Sequence, residues 1–120
     1  MCVLCIKCGS YEDVKVVSDT PVMVEVRCGC CGRKYKIDKV SIGKKGFLPY
    51  VNTVRAKVLE NRYVFVEARG ELIPKMLLVV GEVVVRDGIA ELVCVDEPFY
   101  AFDEKGKMVV TVRVLLQRKE

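Results

Sequence analysis

Val54-Arg55-Ala56-Lys57-Val58 alternates apolar with cationic side chains, the period-two pattern of a strand with one face buried and the other in water. Read this way, it makes the chain beyond residue 47 β-type almost throughout. On its C-terminal side, Glu60-Asn61 is a tight-turn signal leading into a strand over 62–68. Residues 82–86 and 89–95 flank Asp87-Gly88, a pair that supplies the positive φ angles of a two-residue hairpin turn. Residues 103–106 turn the chain into a last strand over 107–116, and Pro74 marks 71–80 as a loop or one short helix. On the N-terminal side, 14–18, 22–27 and 35–40 are β-type runs, the first two separated by Asp19-Thr20-Pro21. The expected fold class is therefore mostly β. Residues 1–46 form one unit, and 47–120 form a small antiparallel barrel of the OB or SH3-like kind, or a sandwich-like meander, with at most one short helix.

The first unit is marked by cysteine. Six of the seven cysteines fall within residues 1–31, in two units, Cys5-Ile-Lys-Cys8-Gly9 and Cys28-Gly-Cys-Cys31-Gly32. Nineteen residues separate Cys8 from Cys28, a spacing that suits a two-turn zinc site. Two intervening residues let one tight turn aim two thiolates at a single ion, and the following glycine lets the backbone fold beneath the sulfur. The expected cofactor is one structural Zn2+ on Cys5, Cys8, Cys28 and Cys31. Four thiolates would close its tetrahedral shell and leave no position for substrate. A disulfide framework is the competing reading, as is an iron–sulfur cluster on the Cys2-x-x-Cys5-x-x-Cys8 run. Cys2 and Cys30 are spare thiols in the zinc reading, and Cys94, between Val93 and Val95, reads as core.

Those two Cys-x-x-Cys-Gly units, followed by Arg33-Lys34-Tyr35-Lys36, resemble the zinc ribbons of archaeal transcription and translation proteins. Val79-Val80-Gly81-Glu82-Val83-Val84-Val85 is similar to a strand entry of small nucleic-acid-binding barrels. The order of the two resembles small archaeal proteins that join an N-terminal four-cysteine zinc ribbon to a compact β domain. The resemblance implies a fold and a nucleic-acid or ribonucleoprotein context, not an activity.

Charge points the same way. The 120 residues carry a formal net charge of +4. Residues 1–46 hold nine Lys/Arg against five Asp/Glu, and residues 47–120 hold eleven of each, so the whole excess sits in the cysteine-bearing part. Arg33, Lys34, Tyr35, Lys36, Lys39, Lys44 and Lys45 are the expected contacts to RNA or DNA, cations for phosphates and a ring for stacking. Tyr50, Tyr63, Phe65 and the Phe99-Tyr100-Ala-Phe102 group would add stacking surfaces if exposed. A protein-interaction adaptor docking on a larger assembly is the alternative, and a rubredoxin-like iron electron carrier a third reading. Catalysis is not expected, because the chain has no histidine and no nucleophile motif. No small-molecule substrate is inferred. No run approaches the roughly 20 apolar residues of a membrane span, and the N-terminus lacks a signal-peptide pattern. A cytoplasmic protein is expected. The scarcity of amides beside abundant Lys, Glu and Arg points to a thermophilic, archaeal source.

Overall fold

The computed structural model describes residues 14–29, 31–96, 98–103 and 105–119. Three strands open it: β1 (Val14–Asp19), β2 (Met23–Cys28) and β3 (Lys34–Ser41). They form an antiparallel meander. Thr20 closes the first turn, its N–H and hydroxyl both donating to the Met23 carbonyl at 2.9 and 3.1 Å. These three strands fall where the sequence places them.

Beyond residue 46 the structure departs from expectation. The stretch 54–58 is not a strand but the middle of helix α1 (Phe47–Glu60). Val51, Val54 and Val58 are its buried side chains, spaced three and four apart, with Phe47 and Tyr50 packed partly beneath the same face. That is the helical period. Alternation over five residues matched the strand template only because Ala56, exposed here, counts as apolar. Strand β4 (Tyr63–Arg69) follows, then one 3-10 turn (Gly70–Leu72) and helix α2 (Ile73–Gly81), which leads into a π-helical turn over Glu82–Arg86. Pro74 sits in the first turn of α2, where its missing N–H removes no helical bond. Asp87-Gly88 therefore ends a helix rather than joining two strands. Gly88 is left-handed at φ 65°, whereas Asp87 stays at φ −77°, and a type I′ turn needs both positive. Strands β5 (Ala90–Val95), β6 (Phe99–Phe102) and β7 (Met108–Arg118) complete the chain.

Among the described residues these strands make one seven-stranded sheet, ordered β1-β2-β3-β4-β7-β5, with β6 also paired to β7. It is an open sheet with two helices, not a barrel with at most one. The pairing of β3 with β4 is parallel, as a strand–helix–strand crossover through α1 requires. The residue 46/47 boundary thus falls between two neighbouring strands of one sheet. No helix among the described residues is long and apolar enough to cross a membrane.

Period two assigns the faces. Val40, Val64, Val66, Val114 and Leu116 pack with Val54, Val58, Met76 and Val79 of the helices. The opposite face carries Val24, Val26, Cys28, Ile37, Phe65 and Leu115. That second face also holds four charges. Glu67 on β4 receives Arg113 Nη2 of β7 at 2.8 Å and Lys39 Nζ of β3 at 3.3 Å. Asp19, at the end of β1, receives Lys39 at 2.7 Å and Arg113 at 2.5 Å. The guanidinium of Arg113 also lies 5.6 Å from the Phe65 ring centre and 5.1 Å from that of Phe99. The Asp19–Arg113 bond crosses β2, β3 and β4, so the β1–β2 turn curls over this face.

Burial pushes the Asp19 carboxyl up, but hydrogen bonds from Lys39 and Arg113, and their charges, outweigh it and hold the group below its ordinary value. A carboxyl depressed in the folded state stabilises the fold above the unfolded value of about 3.9 and ceases to do so as pH falls through the folded value. The destabilisation caused by Asp19→Asn is therefore expected to be constant from pH 5 to 8 and to shrink below pH 4. Urea denaturation across that range checks it, and a difference that grows on acidification would refute the assignment.

Candidate nucleic-acid interface

Parallel β3 and β4 end on the same side of the sheet, and both helices begin there. The β3–α1 loop carries Lys44 and Lys45, both exposed. Lys75, in the first turn of α2, holds that loop from beneath. Its ammonium donates to the Gly43 carbonyl at 2.9 Å and to the Lys45 carbonyl, and lies 4.9 Å from the centre of the Tyr50 ring. A lysine at a helix N-terminus opposes the helix dipole; here two carbonyls and a ring face offset that penalty. Helix α1 begins at Gly46 with no side-chain cap and no acid in its first turn, so its first amides face the same side as the two lysines.

Two further elements reach this end. Exposed Arg69 closes β4 and donates to the Phe102 carbonyl at 2.8 Å, tying the β6–β7 hairpin to the sheet. The tip of that hairpin carries exposed Lys105 and Lys107. Its shape is set by Asp103, whose Oδ1 accepts the Lys105 and Lys107 amides at 2.9 and 2.8 Å. Lys44, Lys45, Arg69, Lys105 and Lys107 thus share one end of the sheet, and among the described residues none of them is in an ion pair. The carboxyl ends of parallel strands, where connections diverge, are the usual binding edge of an open sheet.

The seven residues expected to contact nucleic acid are not one surface. Arg33, Lys34 and Lys36 are exposed at the start of β3, and Tyr35 is half-buried against the second apolar cluster. About 17 Å of strand and then a loop separate Lys36 from Lys44. Lys39 is buried in the four-charge group and presents no charge to solvent. Of the aromatics, Phe65 is core and Tyr50 and Tyr63 are half-buried, while Tyr100 and Phe102 are 69% and 65% exposed. Arg69, Lys105 and Lys107 were not singled out in the sequence; only the register of β4 with β7 brings them to Lys44 and Lys45.

Tyr100 and Phe102 belong to an apolar face. Tyr100 pairs with Val110, Phe102 with Met108, Leu92 with Leu116 and Val95 with Val114. Directly paired residues share a face, here the face that α1 and α2 cover further along. Both helices stop short of the β5–β6–β7 end, which leaves Leu92, Val95, Tyr100, Phe102, Met108 and Val110 exposed.

At the other end of the sheet, Cys28 and Cys31 bracket the β2–β3 turn, Cys28 buried and Cys31 exposed. The Cys31 N–H donates to Cys28 Sγ at 3.5 Å and the Gly32 N–H to the Cys28 carbonyl at 2.7 Å, with Gly32 left-handed at φ 73°. This is the turn that two ligands to one metal need, with an amide aimed at the first sulfur. Cys5 and Cys8 lie outside the described residues, as do Cys2 and Cys30, and among the described residues no group of three or more metal-ligating side chains occurs. Cys94, expected in the core, is half-buried against the second apolar cluster and is disulfide-bonded.

No family model matches the chain, and no curated protein matches it in sequence. Solved structures do match. Alba from Thermoplasma volcanium superposes with a TM-score of 0.57 at 23% identity, over 67% of this chain and 99% of that one. ALBA1 from Trypanosoma brucei superposes with a TM-score of 0.52 at 15% identity, over 68% of this chain and 70% of that one. These neighbours overturn the resemblance to zinc-ribbon proteins carrying an OB or SH3-like barrel. The fold of this chain is similar to that of the Alba proteins, with about a third of its length lying outside the match.

Proposed function

We propose that this protein binds nucleic acid, without catalysis, through the sheet end that carries Lys44, Lys45, Arg69, Lys105 and Lys107. The observation that carries the reading is the convergence of these five exposed cations, from three separate connections, on one end where a helix also begins uncapped. Lysines on loops meet phosphate oxygens without reading base edges, so binding is expected to be tolerant of sequence and steep in salt. The likeness in fold to Alba proteins supports a nucleic-acid partner. Titration of the protein with duplex DNA and with RNA across a salt series tests this. Micromolar or tighter binding at 50 mM salt, lost by about 0.3 M, is expected; no binding to either at low salt would end the reading.

The exposed apolar face favours a protein contact in addition, and a second copy of this chain is the simplest occupant. An interface buries apolar side chains at its centre and keeps charges at the rim. The six apolar residues of the β5–β6–β7 face meet that description, with Lys105 and Lys107 beside them. A species of twice the chain mass in sedimentation is expected, returning to monomer in Tyr100→Ser/Phe102→Ser. A wild-type monomer at high micromolar concentration would exclude it.

We also propose a single structural Zn2+ on Cys5, Cys8, Cys28 and Cys31. The Cys28–Cys31 turn supports it; the other half of the site rests on sequence spacing alone. Bound there, the ion would cross-link the segment before β1 to the β2–β3 turn and add folding free energy. Elemental analysis of natively purified protein is expected to give about one zinc per chain, and chelation to lower Tm. Metal-free protein of unchanged Tm would count against it, and a red iron-loaded protein would favour the electron-carrier reading.

A further inference from the structure

The register of the N-terminal meander sets like charges side by side. Lys15 on β1 is directly opposite Arg27 on β2, and Arg27 is directly opposite Lys34 on β3. All three are exposed. Neighbouring strands are about 4.8 Å apart, so three cations stand in a row about 10 Å long. Arg33 and Lys36 are exposed on either side of Lys34 in the chain, and Lys15 and Arg27 also border a groove with Cys28, Gly29 and Gly32 at the β1–β2 side of the row. Glu25, opposite Lys36, is the nearest acid on these strands, and Asp38 further along β3 is engaged by Lys57 and Asn61. None of the five cations makes an ion pair with a described residue.

Like charges directly opposed on adjacent strands destabilise a sheet. A solvated edge has no need of such a row, since one acid at position 27 would convert two repulsions into two attractions. The arrangement becomes favourable when a polyanion lies across it. The opposite face of the same strands is apolar, with Val16, Val26 and Tyr35 in the next row turned to the second core, so the charges are confined to one side.

We propose that Lys15, Arg27 and Lys34, flanked by Arg33 and Lys36, form a second nucleic-acid contact that grips the phosphate backbone about 25 Å along the sheet from Lys44 and Lys45. It rests on the reading of this protein as a nucleic-acid binder. The meander lengthens the footprint of the sheet end, and a site long enough to span both, about eight base pairs or more at 3.4 Å each, binds more tightly than a shorter one.

The test compares Lys15→Gln/Arg27→Gln/Lys34→Gln with Lys44→Ala/Lys45→Ala, titrating each with 6- and 20-base-pair duplexes between 50 and 300 mM salt. The meander variant is expected to lose about tenfold or more in affinity for the long duplex, to lower the salt slope by up to about 2.7, and to leave the short duplex less affected. Its Tm is expected to equal or exceed that of the wild type, because neutralising the row removes repulsion, and a merely structural role would lower it. Arg27→Gln alone, the centre of the row, should show the same signs at smaller size should the triple variant fold poorly. Unchanged affinity in the meander variant, beside a loss in Lys44→Ala/Lys45→Ala, overturns this inference and leaves the sheet-end reading standing. Loss in the meander variant alone supports the row and overturns the sheet end. No binding by the wild type overturns both.

Discussion

Arg113→Met is expected to destabilise the protein by about 3–5 kcal/mol, the range for removing one partner of a buried ion pair. Arg113 and Glu67 are 2% and 3% exposed, and Arg113 is the group through which Glu67, Asp19, Phe65 and Phe99 meet. Burial lowers the proton affinity of its guanidinium, but hydrogen bonds to Glu67 and Asp19 more than restore it, so it stays charged at every working pH. Without it, two carboxylates share Lys39 alone. The double variant Arg113→Met/Glu67→Leu leaves Lys39 and Asp19 as a balanced pair and is expected to recover much of the loss. Urea denaturation of the three proteins decides the point. A double variant as unstable as the single would mean that shape, not charge balance, sets the cost.

The second large effect is on binding. Lys44→Ala/Lys45→Ala is expected to weaken nucleic-acid binding by about tenfold or more near 0.1 M salt and to lower the salt slope by about 1.8, two phosphate contacts at 0.9 each. Stability should hardly change, because both side chains are exposed and the loop is held through its backbone by Lys75. An unchanged slope would show that the two lysines do not reach phosphate.

Much of the sheet was legible in the residues. Val24 and Val26 alternate with Glu25 and Arg27, Asp19-Thr20-Pro21 and residues 103–106 are turns, and 63–69 and 108–118 are strands close to where the pattern puts them. Helix α1 was not, and α2 was one of two readings of 71–80. Valine stiffens χ1 and favours strands in isolation, and α1 and α2 with its π-helical turn contain Val51, Val54, Val58, Val79, Val80, Val83, Val84 and Val85. Tertiary packing overrode that preference. The signal that would have found α1 is Phe47, Tyr50, Val51, Val54 and Val58, a run at steps of three, one, three and four.

The candidate interface was half legible for a geometric reason. Basic residues from 33 to 45 are adjacent in sequence, but a strand carries its two ends apart, so one cluster in the chain became two places on the molecule. Lys39 shows the converse. Its neighbours Ile37 and Val40 are buried, and a lysine at a core-facing step of a strand signals a buried ion pair as much as a binding cation. Its partner Glu67, and Arg113 as the second cation on Glu67, occupy core-facing steps of β4 and β7, and only the strand order joins the three.

The bond between Asp19 and Arg113 joins residues 94 positions apart. During synthesis the Asp19 carboxylate can meet Lys39, 20 positions on, as soon as the meander forms, but it waits for the last strand before Arg113 completes the group. Contacts of such sequence separation close late and slow the search. Until the last strand threads between β4 and β5, the cysteine-bearing segment has a meander but no lid to rest on, and its thiols remain open to whatever the compartment offers.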